Sequence, residues 1–185
     1  ARTLAVEFGC HVTVIDLADS YVLAGRMLTD LVGLNDHVIH QAGNALELPF
    51  DDHSFDAVWT QNSGMNIMDK ETLYAEIQRV IRPNGLLAIQ EPMSGPNQPA
   101  IFPVMWSRDG MGHFLRTPLE MRAVIESAGF QTRKWDDVTN EKSAPGTVNT
   151  HTIQSLVMGN DLLAEIRNAG KRNDEEERIV MIQAV

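Results

Sequence analysis

Short β-branched runs alternate with helical segments closed by glycine, and this alternation restricts the chain to a mostly parallel sheet with helices packed on it. Residues 11–16, His-Val-Thr-Val-Ile-Asp, are a compact apolar run ending in an acid, the pattern of a parallel strand buried on both faces. A helix is predicted before it over Ala1 to Gly9, from Leu4, Ala5 and Phe8 at helical spacing. Another is predicted after it, started by Asp19 or Ser20, with Tyr21, Ala24, Leu28, Leu31 and Val32 as its apolar face and Gly33 as its stop. Val38 and Ile39 mark the next strand, and Phe55 to Thr60 the one after.

Further along, Asp69 is placed to cap a helix that buries Leu73, Ile77, Val80 and Ile81, and Pro83-Asn84-Gly85 turns the chain into a strand over Leu86 to Gln90. From Pro92 to Thr117 the pattern lapses into Gly, Pro, Met and Trp, too long for a plain crossover and expected to be a lid or substrate-binding insertion. Thr117-Pro118-Leu119-Glu120 is a complete capping-box start for a helix burying Met121, Val124, Ile125 and Ala128 before Gly129. Phe130 to Trp135 is expected to be a strand, Thr150 to Ala169 a broken helix, and Arg178 to Val185 a last strand.

Composition narrows the function. A chain of 185 residues suits one domain, taken as residues 1–185. The formal net charge of -10 disfavours a nucleic-acid partner, whose phosphates need clustered Lys and Arg, so a small molecule is the expected ligand. No run approaches the ~20 apolar residues of a membrane span. The single cysteine, Cys10, excludes an internal disulfide and fits a cytoplasmic location. No metal site is expected: His37 and His40 point to opposite faces of their strand, and His11, His53, His113 and His151 have no partner at ligand spacing.

Ligands of a parallel sheet bind outside the carboxyl ends of its strands, so residues following each apolar run are the candidates. Asp16 closes one run and could accept hydrogen bonds from ribose hydroxyls or serve the helix that follows it. Asn44 and Ala45 follow the second strand, in "GNALELPF", and Gln61 and Asn62 follow "DAVWTQ". At these segments the chain resembles the class I S-adenosylmethionine-dependent methyltransferases, notably the ubiquinone-biosynthesis-like and sarcosine/dimethylglycine-like branch. The resemblance implies a Rossmann-like, mostly parallel sheet with an antiparallel edge made by the last two strands, S-adenosyl-L-methionine as cofactor, and a small-molecule methyl acceptor. It assigns Asp16, Leu17, Asn44, Ala45, Leu46 and Gln61 to the cofactor. It begins the acceptor pocket at Asn62, with Met65, Asn66 and Ile67 placed to wall it. From its own residues, the segment Ile101 to Phe114 is expected to be a lid that touches the acceptor through Trp106: it starts at the carboxyl edge after Gln90 and Glu91, carries Phe102, Met105, Trp106 and Phe114, and can bend at Gly110 and Gly112. The resemblance names no catalytic acid or base, since Asn62 stands where relatives often carry His. Methyl transfer from a sulfonium needs mainly alignment and exclusion of water.

The family pattern also has a strand and a G-x-G-x-G turn ahead of the helix matching Ala1 to Gly9, and neither is in this sequence. That strand is central in the family's sheet, so a gap or a closed-up sheet is expected, and with it an incomplete sequence and weak cofactor binding. The acceptor atom stays open between an amine nitrogen and an aromatic carbon or oxygen. Two other classes stay open as well, a non-catalytic nucleoside-binding or interaction domain and a nicotinamide-dependent oxidoreductase.

Overall fold

The computed structural model describes residues 1–96, 99–139, 153–155 and 178–183. Its elements are α1 (Arg2–Phe8), β1 (His11–Asp16), α2 (Asp19–Leu31), β2 (Val38–Ala42), β3 (Phe55–Gln61), α3 (Lys70–Val80), β4 (Ile81–Gln90), β5 (Pro92–Ser94), α4 (Pro118–Ser127), β6 (Ile153–Ser155) and β7 (Arg178–Gln183). A short 3-10 turn, Gly64–Asn66, lies between β3 and α3.

Five strands form one sheet in the order β2-β1-β7-β3-β4, and every pairing in it is parallel. The sequence expectation of an antiparallel edge formed by the last two strands is therefore corrected. β7 lies in the middle of the sheet, between β1 and β3, where the sequence reading anticipated a gap or a closed-up sheet. It hydrogen-bonds β1 on one side, Val12 opposite Ile179, and β3 on the other, Val58 opposite Val180. The physical reason is burial. Ile179, Val180, Met181 and Ile182 are four apolar residues in succession, which a central strand buries on both faces and an edge strand would expose. The only antiparallel strand pair among the described residues is β5 with β6, in a separate two-stranded sheet.

Two further expectations are corrected. Phe130 to Trp135 forms no strand; its centre, Gln131-Thr132-Arg133-Lys134, is polar, and only Phe130 and Trp135 pack on the core. Ile153–Ser155, expected within a helix, is strand β6, because it pairs with Pro92–Ser94. The rest of the helix expected over 150–169 lies outside the described residues.

Local signals at helix ends are realised except at α2, whose N-cap is Ala18 with no side-chain cap. Asp19 and Ser20 therefore lie inside its first turn instead of starting it, the Ala18 N–H being held by Asp16. The Asp69 carboxylate accepts from the Thr72 N–H at 2.9 Å, and Thr117 and Glu120 form both halves of the capping box with Pro118 in the first turn. α3 lays Leu73, Tyr74, Ile77 and Val80 against one face of β3, β4 and β7, forming the larger core with Val58, Ile89, Met121, Ile125, Val180 and Ile182. α1 covers the opposite face with Leu4 and Ala5 on Val12, Val14, Ala57 and Ile179. α2 departs from expectation: it buries Val22 and Thr29, while Tyr21, Leu28, Leu31 and Val32 are exposed. The helix is turned by its contact with His40 of β2, which hydrogen-bonds Thr29 at 3.0 Å and leaves no room for a side chain at Gly25.

The expected turn at Pro83-Asn84-Gly85 appears as an outward bulge at the start of β4. Phe55 pairs with Ile81, but Ala57 pairs with Leu86, so Arg82 to Gly85 loop out with Asn84 at a φ of 66°.

Candidate active site at the carboxyl edge of the sheet

Register brings the strand ends level. Asp16 pairs with Ala42 of β2 and with Gln183 of β7, Thr60 of β3 pairs with Ile182, and Gln61 pairs with Gln90 of β4. Five parallel strands thus end along one edge, where a ligand can reach the residues that follow each of them.

Asp16 is buried, and its Oδ1 accepts from the Ala18 N–H at 2.8 Å, so the carboxylate supports the entry to α2 while closing β1. Leu17, next to it, is exposed. After β2, Asn44 turns its Oδ1 to the Leu46 N–H at 2.9 Å and pairs across the turn with Glu47, the ordinary behaviour of a turn asparagine. Ala45 is buried and Leu46 packs on the core beside it. The following connection is held from α3: the Arg79 guanidinium donates to the carbonyls of Leu48 (2.9 Å) and Phe50 (2.7 Å), and the Glu76 carboxylate accepts from the Leu48 N–H at 2.8 Å. Arg79 also binds Glu76 and Asp52, which hold it charged above its ordinary range.

The most densely bonded part of the edge follows β3. Gln61 is exposed; Asn62 has a φ of 52°, and its N–H donates to the Gln90 carbonyl at 2.8 Å. This left-handed residue turns the chain back over the strand ends into Ser63, Gly64 and Met65, all buried. Glu91, the residue after β4, lies beneath them and is only 2% exposed. Its Oε1 accepts from the N–H groups of Ser63 (3.0 Å) and Gly64 (2.9 Å), and its Oε2 has no hydrogen-bond partner among the described residues. Burial pushes the Glu91 carboxyl up, opposed by the N–H groups of Gly64, Ser63 and Met65 and by the Lys70 charge.

Lys70 opens α3 and is 1% exposed, rare for a lysine unless its ammonium is bonded. It donates to the carbonyls of Gly64 and Ile67. Burial pushes it down to about 8, with Glu91 pulling the other way. Tyr74 sits one turn further along α3, fully buried, its hydroxyl unpartnered among the described residues.

The segment 101–114 joins the same turn. Its Phe114 N–H donates to the Met65 carbonyl at 2.9 Å. Trp106 lies outside both core clusters; it stacks parallel to His113 at 5.9 Å, and its Nε1 donates to His113 Nδ1 at 3.3 Å. Burial lowers His113 from its ordinary range, and because the indole N–H can only donate, Nδ1 is the accepting nitrogen of this pair. Met105 is 96% exposed, and Ile101 and Met111 are exposed with it, an apolar surface unlike that of a solvated connection.

The candidates from sequence therefore fall into three groups along one edge: Asp16 and Leu17; Asn44, Ala45 and Leu46; and Gln61, Asn62, Met65 and Asn66, with Trp106 on the segment tied to Met65. Glu91, Lys70, Ser63, Glu76 and Arg79 were missed. Glu91 carried a legible signal, an acid directly after an apolar run at the ligand-bearing edge. Among the described residues no group of His, Cys, Asp and Glu could hold a metal ion, and no helix is long and apolar enough to cross a membrane.

Residues 1–89 match the family model described as a methyltransferase domain. The glycine/sarcosine/dimethylglycine N-methyltransferase of Actinopolyspora halophila is 36% identical over 95 residues, 51% of this chain and 17% of that protein. The sarcosine/dimethylglycine N-methyltransferase of Halorhodospira halochloris is 31% identical over 146 residues, 76% of this chain and 50% of that protein. The chain thus spans half or less of the length of these curated relatives. In fold it is similar to geranyl diphosphate methyltransferase solved in complex with SAM, with a TM-score of 0.70 at 20% identity, over 84% of this chain and 70% of that one.

Proposed function

We propose that this chain, whose first 89 residues match the methyltransferase-domain family model, directs a methyl group from S-adenosylmethionine to the nitrogen of a small amine. The observation that carries the reading is the level carboxyl edge, where register sets Asp16 beside Ala42 and Thr60 beside Ile182. An adenosyl group fits the chemistry of that edge. Asp16 offers a buried carboxylate for ribose hydroxyls, Leu17 and Leu46 offer apolar surface for the base, and the Ala45 N–H and the Asn44 and Gln61 amides offer polar contacts. The amino-acid end fits less completely, since no glycine-rich turn follows any strand among the described residues.

When bound, the cofactor supplies a methyl group on a positively charged sulfur, already a good leaving group. The chain's own residues then have to orient the acceptor and keep water out. Asn62, Met65 and Asn66 are placed to wall the acceptor, and segment 101–114, carrying Trp106, to cover it as a lid. Support for an amine over a carbon or oxygen acceptor comes from the names of the two N-methyltransferase relatives. The net charge of -10 also suits a basic acceptor better than an anionic one. The same reading takes residues 1–185 as one domain acting in small-molecule metabolism in the cytoplasm.

Incubating the protein with S-adenosylmethionine and a panel of amines, including sarcosine and dimethylglycine, and of phenols tests this by mass spectrometry of the products. Methylated amine with unmodified phenols is the expected result. Methylated phenols alone would overturn the amine assignment, and no product with any acceptor would leave the nucleoside-binding reading in its place.

A further inference from the structure

Four separate parts of the chain meet at the turn of residues 63–67. From below, the Glu91 carboxylate accepts from two successive N–H groups, those of Ser63 and Gly64. From the side, the Lys70 ammonium donates to the carbonyls of Gly64 and Ile67. From the centre of the sheet, the Ile182 carbonyl accepts from the Ser63 hydroxyl at 2.8 Å. From above, the Phe114 N–H donates to the Met65 carbonyl at 2.9 Å. The anion is bonded to donors and the cation to acceptors of the same few peptide groups, and both side chains are almost fully buried. Removing two charges from water is costly, and a plain turn of this length could satisfy its peptide groups with water or with a serine or asparagine side chain. A buried acid and a buried base on one turn instead fix the orientation of its peptide planes, because each charge rewards one arrangement and penalises the others.

We propose that Glu91 and Lys70 are positioning residues that clamp the turn of residues 63–67 from its N–H and its carbonyl sides. They thereby set where Met65 and Asn66 stand along the strand edge. The proposal rests on the reading above for one point only, that Met65 and Asn66 face the acceptor. Glu91 and Lys70 need not touch acceptor or cofactor. Their effect passes through the turn, and through Met65 it reaches the segment carrying Trp106, because Phe114 is bonded to the carbonyl that the clamp orients. Glutamine at position 91 keeps an oxygen that can accept from both N–H groups, whereas alanine keeps none.

Amide hydrogen exchange on the folded protein, compared between wild type, Glu91→Gln, Glu91→Ala and Lys70→Met, tests the clamp without needing turnover. Loss of a charge-assisted acceptor should raise exchange at Ser63 and Gly64 about tenfold in Glu91→Ala, with β3 and α3 unchanged. Glu91→Gln should stay within about threefold of wild type. Lys70→Met should loosen the same turn. Unchanged exchange at Ser63 and Gly64 in Glu91→Ala overturns the proposal, and so does equal loosening of β3, β4 and the turn, which marks a general structural role. The acceptor reading is tested separately by the KM for the amine against the affinity for S-adenosylhomocysteine. A raised KM with unchanged S-adenosylhomocysteine affinity in Glu91→Ala supports both ideas. A loosened turn with an unchanged KM upholds the clamp and refutes the placement of Met65 and Asn66 at the acceptor.

Discussion

The Ser63 hydroxyl donates to the Ile182 carbonyl across 2.8 Å, joining the turn after β3 to the end of β7 although 119 residues separate them in the chain. Both groups are buried, and the bond fastens the central strand to the turn on which the acceptor reading depends. Ser63→Ala should therefore lower stability by about 1–1.5 kcal/mol, the loss of one buried hydrogen bond with its acceptor left behind. Urea denaturation checks the size, with an unchanged m-value showing that the denatured state is not involved. Stability equal to wild type would mean that Ser63 does not hold β7.

Lys70 gives a pH signature of known sign. Its folded pKa is about 8 against an ordinary 10.5, so between those values the unfolded chain binds the proton more tightly and stability rises with pH. Tyr74 acts in the opposite direction above about 10, since burial raises its folded pKa and favours ionisation in the unfolded chain. Denaturation midpoints compared over about pH 8 to 9.5 isolate the lysine. Wild type should gain stability relative to Lys70→Met as pH rises through that window. A constant difference between the two proteins would contradict the buried placement of the ammonium.

Gly25 lies inside α2, where glycine ordinarily weakens a helix. A Cβ there would stand 2.4 Å from Nδ1 of His40, and the His40 ring is held by Thr29. Alanine gains up to about 1 kcal/mol of helix propensity, yet the clash and the broken Thr29 bond should outweigh it and give a net loss of about 1–2 kcal/mol. Thermal unfolding of Gly25→Ala, and of the same change combined with His40→Ala, checks this. Relief of the loss in the double variant is expected, and a stabilised single variant would show that the close approach does not matter.

These examples also mark how far the sequence could be read. Signals confined to a few neighbouring residues carried through: the ends of β1, the Asp69 cap and the Thr117–Glu120 box depend on local hydrogen bonds. Signals that depend on which partner an element meets did not. The outward-facing stripe of α2 resembled a core face by spacing, and only contact with His40 decides which side is buried. The place of β7 was half legible. Its unbroken Ile179 to Ile182 run describes a strand buried on both faces, whereas the family pattern places the last strand at an edge. Strand-end positions such as Asp16 and Gln61 were legible from topology together with the family resemblance, and both do close their strands at the carboxyl edge. Glu91 and Lys70 were missed because their role comes from meeting across the 63–67 turn, 21 residues apart in number and adjacent only in the fold.

Trp106 tests the lid. Its ring rests on His113 and outside both core clusters, so Trp106→Ala should lower the melting temperature only slightly while methyl transfer to the amine falls. Steady-state rates beside thermal scans check the separation. A large loss of stability with parallel losses of cofactor and acceptor affinity would make Trp106 a packing residue.

The proposed function requires a nucleoside to bind at the level carboxyl edge of the sheet, with Asp16 on its ribose. Titrating S-adenosylhomocysteine into the protein while following backbone amide resonances tests it even where affinity is low. The variant of choice is Asp16→Asn, which keeps an oxygen to accept from the Ala18 N–H while removing the charge and turning the other acceptor oxygen into an NH2 donor. In wild type, shifts should cluster at Asp16–Leu17, Asn44–Leu46 and Gln61–Asn62, and Asp16→Asn should weaken binding by about 1.5–3 kcal/mol with little change in folding stability. Shifts centred elsewhere, or equal affinity in Asp16→Asn and wild type, would contradict the account.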